Sequence, residues 1–442
     1  MRIAVLLLPC LFLCACASYA PKPVDVAKLA QPAMTALPGG DLLPVALAQN
    51  PAVAAARAAY EATRHDRAAQ KRLPPMTLTL IQEYSRQANA HLPWLYTGQL
   101  DVPLDTGGRR TGRITSADIA VSKAAYALGD ALWTARQDLR QAQSDLDFAS
   151  RTVALDQQLV ETRTAYRDSV DKQVAGGEDS RASADQARLD LSAQQQALAL
   201  ARSSQHQAEI ALARATDATP GAAQAWRGSS PASPAITDGQ IDDLSAKALY
   251  ARPDIHAAVA DYDSAENDLR VAIAGQYPDI HIAPGYTWER GVVKLPLNWV
   301  LTLPPTDLNH TNIAAAMARR AEAGKALEDK VKAAQTEIAQ AGETWRTDAA
   351  VATRATGDDA PLADAMATRA ERSEEAGEAS RGDSLLARVA ALDAEAAALA
   401  TQQTVANDRL KLEDALRQPF SAGDADTLGA VAQSDLSSDP HK

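Results

Sequence analysis

Leu295, Leu297, Trp299, Leu301 and Leu303 take alternate positions, with Pro296, Asn298, Val300 and Thr302 between them. Successive side chains of a strand point to opposite faces, so this period of two predicts a strand with one apolar and one polar face. Three other segments repeat the pattern. They are Met76 to Tyr84, Pro93 to Leu104 and Asp279 to Trp288. In the second of these, Trp94, Tyr96, Leu100, Val102 and Leu104 oppose Thr97, Gln99 and Asp101. In the third, Ile280, Ile282, Tyr286 and Trp288 oppose His281, Ala283 and Thr287.

Elsewhere the period is that of helices packed on helices. Leu132, Leu139, Leu146, Val153 and Val160 recur every seven residues, with Leu128, Ala135, Ala142 and Ala149 between them. The same seam returns 199 residues later in Val331, Ile338 and Trp345, with Leu327, Ala334 and Ala341. A heptad whose alternate positions are small predicts a coiled-coil seam with close helix approach. The pattern predicts helices over 43–71, 113–174, 183–215, 241–275 and 311–372, the last followed by a break and a return helix. The second of these is on the order of 90 Å long.

The chain is one pattern written twice. Asn50 to Tyr60, NPAVAAARAAY, returns as Arg252 to Tyr262, RPDIHAAVADY. Gly177 to Arg188, GEDSRASADQAR, returns as Gly377 to Arg388, GEASRGDSLLAR, at an offset of 200. Two matches at nearly one period mark an internal duplication. Six regions follow: a signal peptide over 1–15, a tether over 16–42, a first repeat over 43–218, a linker over 219–240, a second repeat over 241–419 and a polar, acidic, disordered tail over 420–442.

Composition narrows the function. Apolar residues make up 46% of the 442, yet aromatics are only 4% and much of the remainder is alanine. Alanine favours helix while adding little core volume, which suits long, closely packed helices. A net charge of −12, with no basic stripe, argues against nucleic acid as a partner. The seven histidines are scattered, without a pair at helical ligand spacing, so no metal site, cofactor or catalytic residue is expected. Met1-Arg2 followed by the apolar run Ile3 to Leu13 reads as a secretory signal. Leu13-Cys14-Ala15-Cys16 resembles a lipoprotein processing site, with Cys16 as the lipidated residue; the alternative is an ordinary cut near Ala20.

A half-buried soluble sheet would alternate as these strands do. Two features favour lipid. The segments are about nine to eleven residues long, the span of a tilted transmembrane strand. Trp and Tyr also gather there, as in interfacial girdles. Unpaired strand edges in hydrocarbon cost several kcal/mol per group, and four strands do not close a barrel, so copies must combine.

This arrangement resembles the TolC-like outer-membrane factors, over about Leu42 to Phe420. Val102 to Arg110, VPLDTGGRR, is similar to the turn after the first hairpin in the lipoprotein branch that serves heavy-metal efflux pumps. The second hairpin departs from that branch, since Leu303 to Asn312 has no Gly-Gly pair. The resemblance implies a mainly α protein with a small membrane β part. Each protomer gives four strands to a trimeric twelve-stranded β-barrel and long helices to a periplasmic α-barrel. It also implies a homotrimer in outer-membrane lipid of a Gram-negative bacterium, working with a periplasmic adaptor and an inner-membrane RND-type pump. The duct itself is passive.

Candidate residues follow from these placements. Gly107 and Gly108 are expected to allow the strand-to-helix turn. Arg109 and Arg110 would sit near periplasmic headgroups, or form a solvated pair at a helix start. Gly177, Ser180, Arg181, Gly377, Ser380 and Arg381 are expected to meet the adaptor, or simply to reverse the helices. Glu374, Glu375, Glu378 and Asp383 would form acidic rings at a lumen entrance, or a solvated charge run. The cargo stays open between heavy-metal cations, organic toxicants and secreted polypeptides. The rival architectures are a periplasmic adaptor with one helical hairpin and a coiled-coil lipoprotein without a pore.

Overall fold

The computed structural model describes residues 19–86, 93–104, 107–226, 236–289 and 291–437. After a single turn, α1 (Val26–Leu29), the first repeat opens with α2 (Leu43–Gln49) and α3 (Pro51–Gln70). Asn50 divides what the pattern predicted as one helix. Its backbone is extended, its side chain accepts from Ala52 and Val53 N–H, and Pro51 takes the first helical position, where no N–H is needed.

Strands β1 (Thr77–Tyr84) and β2 (Trp94–Leu104) precede α4 (Arg109–Gly176), a helix of 68 residues and about 100 Å. A tight reversal leads to α5 (Arg181–Thr216) and the short α6 (Pro220–Ala225). The second repeat runs through α7 (Asp238–Ala251), α8 (Pro253–Ala274), β3 (Asp279–Glu289), β4 (Val292–Lys294) and β5 (Leu297–Thr302). Then come α9 (His310–Arg354), a π turn (Ala355–Asp359), α10 (Ala360–Glu375), α11 (Arg381–Leu416) and α12 (Ala422–Ser437). Of the expected linker, α6 and the start of α7 are helical, and 227–235 lie outside the described residues.

The two repeats end their helices alike. Gly177 and Gly377 take the left-handed conformation at φ 79° and 74°. Ser180 and Ser380 cap the return helices, and Asp217 and Arg417 close them at φ 50° and 51°. All three pairs stand 200 residues apart, whereas the seam residues up to Trp345 stand 199 apart. The second repeat therefore carries one extra residue between Trp345 and Gly377. The π turn lies in that interval, and a π turn is how a helix absorbs one inserted residue while the flanking faces keep their partners.

Helix α4 is the axis of the packing. Leu128, Leu132, Ala135, Leu139, Ala142 and Leu146, all seam positions, are buried against α2, α5 and Trp226. Lower on the same helix, Phe148, Leu155 and Leu159 meet Val389, Leu392 and Leu399 of α11, which joins the two repeats side by side. Near its start Gly112 is pressed against Val271 of α8, where any side chain would collide, and its carbonyl accepts from buried Asn267 at 3.0 Å.

The C-terminus corrects the expectation of a disordered tail. Residues 422–437 form α12, whose Leu428, Val431 and Ala432 pack on the core of the first repeat. Few apolar side chains hold it. The stronger tie is Asp424, 2% exposed and clasped by Arg136 and Arg140 of α4. A carboxylate so deeply buried is tolerated because two guanidinium groups satisfy its oxygens. Residues 438–442 lie outside the described residues.

Candidate functional site

The strands join into one antiparallel sheet in the order β1-β2-β3, with β4 and β5 both following on β3. Registers place Tyr96 opposite Trp288, Val102 opposite Ile282 and Leu104 opposite Ile280; Trp299 faces Ile282, and Leu301 faces Ile280. One face of the sheet is thus apolar across all the strands. Among the described residues nothing covers it: Leu80 is 74% exposed and Trp299 58%. Contiguous apolar surface of that kind marks a contact with lipid or with another protein.

Aromatic rings gather at one end of this face. Tyr84 meets Trp94 edge-on at 5.0 Å, Trp94 stacks on Tyr96 at 6.2 Å, and Tyr96 lies 5.8 Å from Trp288. The opposite face is polar. Thr97 and Thr287 pair at 3.2 Å, and His281 Nδ1 lies 3.1 Å from Asp101. These two cross-strand pairs went unremarked in the sequence, although the alternation already placed all four residues on the polar face. Among the described residues, strands β1 and β5 pair on one side each, which leaves both lateral edges of the sheet open.

At the joint between sheet and helices, Gly107 and Gly108 both have positive φ, 69° and 85°. A side chain on Gly107 would also meet the Ala274 carbonyl at 3.2 Å. Arg109 forms an ion pair with Asp279 and donates to the Tyr277 carbonyl at 3.2 Å. Arg110 donates to the Lys71 carbonyl at 3.0 Å. Both arginines thus brace the joint, tying α4 to the start of β3 and to the end of α3. The second repeat makes its joint without glycine. Leu308 and Asn309 supply the positive φ, 51° and 63°, and Asn309 Nδ2 donates to the Ala272 carbonyl at 2.7 Å. Asparagine tolerates that conformation better than most residues, which is why the missing Gly-Gly pair leaves the turn intact.

The far ends of the hairpins lie together, with Gly382 of the second beside Gln173 of the first. Ser180 Oγ accepts from Ser183 N–H at 3.2 Å, and Ser380 with Asp383 forms a reciprocal capping box. Arg181 and Arg381 are exposed first residues of α5 and α11. Of the four acids, Asp383 serves the cap and Glu374 accepts from Ser384 Oγ, fastening α10 to α11. Glu375 and Glu378 are exposed. Asp179 is held below the usual carboxylate range, chiefly by the Ser183 hydroxyl and then by the Ser180 N–H. Tyr166 is pushed up, first by burial and then by Asp179, Asp190 and Asp383, acids drawn from both tips.

Among the described residues no group of three or more His, Cys, Asp or Glu side chains is placed to hold a metal ion, and no helix is long and apolar enough to cross a membrane. The membrane candidate is the sheet.

Residues 42–218 match the outer membrane efflux protein family. No curated protein matches the chain in sequence. Solved structures match over both repeats. VceC of Vibrio cholerae is 18% identical with a TM-score of 0.70, over 86% of this chain and 96% of that one. The CmeC outer membrane channel of Campylobacter jejuni is 16% identical with a TM-score of 0.71, over 89% and 88%. CusC is 16% identical with a TM-score of 0.67, over 90% and 99%. At these identities the likeness fixes the fold. It is the fold of outer-membrane efflux channels, mostly helical with a small antiparallel sheet.

Against that fold, the apolar sheet face and the paired tips stand at opposite ends of the long helices. Cys16, the expected lipidation point, lies outside the described residues, as do the signal segment and Asp105 and Thr106 of the hairpin motif. Sequence reading missed the Arg136–Asp424–Arg140 cluster. Its one available signal was two arginines at helical spacing along a seam otherwise lined by Leu and Ala.

Proposed function

We propose that the chain is the outer-membrane duct of a tripartite efflux system and that it works as a homotrimer. One observation carries this reading: an uncovered apolar sheet with two open edges, set on a helical hairpin pair about 100 Å long. Open edges in hydrocarbon must pair, and joining β5 of one copy to β1 of the next closes a barrel of twelve long strands from three copies. The apolar face then meets lipid, and the face with Thr97, Thr287, Asp101 and His281 lines the lumen. Cys16 is the lipid anchor, and residues up to 42 are the tether.

The hairpin tips point into the periplasm and receive an adaptor, with Gly177, Ser180, Arg181, Gly377, Ser380 and Arg381 at the contact. Glu375 and Glu378 supply negative charge near the lumen entrance. An RND-type inner-membrane pump provides the energy. Heavy-metal cations are the cargo we favour, on the likeness of Val102 to Arg110 to the metal-pump branch.

Two measurements test this reading. The purified chain in planar bilayers should give a steady conductance; its absence sinks the duct. A deletion strain should become sensitive to divalent metal ions and recover with the intact gene. Sensitivity to dyes and detergents alone would keep the duct and overturn the metal cargo.

A further inference from the structure

The two hairpins of the sheet correspond residue by residue. Ahead of them, Pro51 and Pro253 open equivalent helices, α3 and α8, 202 residues apart. Behind them, Gly107 and Gly108 are answered by Leu308 and Asn309, 201 residues later and likewise at positive φ. Strand β1 therefore maps onto β3 at an offset of 202, and β2 onto β5 at 201. The registers obey both offsets. Thr77 opposite Asp101 becomes Asp279 opposite Thr302, and Leu80 opposite Gly98 becomes Ile282 opposite Trp299, which are the pairs the second hairpin makes.

The repeats meet where β2, the second strand of one, pairs with β3, the first strand of the other. Left with an open edge are the second strand of the second repeat, β5, and the first strand of the first, β1. We propose that β5 of one copy joins β1 of the next in the register that β2 and β3 already use within the chain. The proposal rests on the duct reading for the meeting of copies and adds the residues that meet. Gly98 opposite Tyr286 becomes Trp299 opposite Tyr84 of the next copy. Val102 opposite Ile282 becomes Leu303 opposite Leu80. On the polar face, Gln99 opposite Gly285 and Thr97 opposite Thr287 become Val300 opposite Glu83 and Asn298 opposite Ser85.

Backbone groups agree with this register. Ser85 N–H donates to the Pro93 carbonyl at 2.9 Å, and Gly285 N–H to the Pro296 carbonyl at 2.8 Å. In an antiparallel ladder, residues that bond one neighbouring strand alternate with residues whose groups face the other way. Leu80, Gln82 and Tyr84 thus hold free groups on the β1 edge, and Trp299 and Leu301 hold those of β5. The register sets free groups against free groups and apolar faces side by side. A slip of one residue would break both matches at once. Side chains agree as well. Tyr84 and Trp299 are each 58% exposed in the single chain, and the joint brings them together. The aromatic row from Tyr84 through Trp94 and Tyr96 to Trp288 then continues across the joint.

Disulfide trapping of the full-length protein in lipid vesicles tests the register. The polar-face pairs are the non-hydrogen-bonded ones, as the Thr97 and Thr287 hydroxyls 3.2 Å apart illustrate. Their Cα atoms approach to about 4.5 Å, within disulfide reach, whereas a slip of two residues opens about 7–8 Å. Val300→Cys with Glu83→Cys, and Asn298→Cys with Ser85→Cys, should each oxidise to covalent dimer and trimer on a non-reducing gel. The crossed pairs, Val300→Cys with Ser85→Cys and Asn298→Cys with Glu83→Cys, should stay largely monomeric. Single variants control for Cys10, Cys14 and Cys16 of the chain itself, and two matched pairs guard against one that does not fold. Preferential cross-linking of a crossed pair overturns the register and leaves the duct standing. Absence of cross-links in every pair also overturns it, and conductance of the same samples then decides whether the duct falls too. A ladder running past trimer upholds the register and sinks the three-copy barrel.

Discussion

Arg140 Nη2 lies 2.5 Å from Asp424 Oδ1, in a pair whose side chains are 5% and 2% exposed. The contact joins the middle of the first long helix to a residue 284 positions later, on the last helix of the chain. Arg140 Nε reaches the other oxygen at 3.0 Å, and Arg136 Nε approaches that same oxygen at 2.8 Å. Asp424 is therefore the pin of α12. Asp424→Ala removes one partner of a buried pair and leaves guanidinium groups short of acceptors, at a cost of about 3–5 kcal/mol. Urea titration of the purified protein should show that loss, together with protease cleavage between Phe420 and α12. A loss below 1 kcal/mol would mean that Leu428 and Val431 hold the helix unaided.

The same pin gives the stability a pH dependence of defined sign. Burial pushes Asp424 up, but the hydrogen bond and charge of Arg140, followed by those of Arg136, outweigh it and hold the carboxyl below its ordinary value. The stabilisation is complete above the unfolded-state value and is lost as pH falls through the folded one, beginning below about pH 5. Asp424→Asn should therefore flatten the acid limb of the stability profile while leaving its neutral limb parallel to wild type. An unchanged acid limb would assign the acid sensitivity to other carboxylates.

How much of this was open to reading depends on whether the interaction is local. Alternation at Leu295 to Leu303 and heptads at Leu132 to Val160 are local patterns, and a strand and a helix stand at those places, whereas the single helix expected over 241–275 is divided into α7 and α8 by extended Arg252 before Pro253. Gly177 and Gly377 mark helix ends because glycine is the cheapest left-handed cap. Asn50, by contrast, divides α2 from α3 through a cap and a proline that the alanine-rich sequence on either side obscured. Helix α12 was read as disordered because its own residues are few and acidic; what fixes it is Arg136 and Arg140, nearly 300 positions away. The π turn left one trace, the change of offset from 199 to 200 between Trp345 and Gly377.

That trace leads to a prediction about length. Deleting Gly357 restores the spacing of the first repeat and converts the π turn to regular α-helix, with the seam above and the tip below still in register. Melting temperature should be unchanged or raised. Deleting Ala333 instead rotates everything between it and the π turn by about 100° around the helix and takes buried Ile338 off its seam. That protein should unfold several kcal/mol earlier or fail to fold. Equal tolerance of the two deletions would contradict the assignment of the π turn as the inserted residue.

The two joints between sheet and helix offer a matched comparison. Gly107 needs positive φ and has a carbonyl 3.2 Å from where a Cβ would stand, so Gly107→Ala should cost about 1–2 kcal/mol. Leu308 already carries a side chain in that conformation and is 53% exposed, so little packing is lost on trimming it. Leu308→Gly should relieve the strain and leave stability equal or higher by up to about 1 kcal/mol. Denaturant midpoints of the two variants separate the outcomes. A loss at Leu308→Gly would show that its side chain packs in the assembled protein.

The sharpest test of the sheet compares neighbouring residues on one strand. Leu80 and Thr79 are adjacent in β1, pair with Gly98 and Gln99, and point to opposite faces. Both are exposed in the single chain, so a soluble sheet would accept lysine at either position with similar ease. In a lipid-facing barrel they differ sharply: a lysine on the outer face near mid-strand costs about 2–4 kcal/mol, whereas on the lumen face it remains hydrated. Folding into lipid vesicles, followed by urea titration, should show Leu80→Lys destabilised by that amount and Thr79→Lys close to wild type. If the order is reversed, the apolar face lines the interior; if the two are equal, the sheet does not sit in a bilayer.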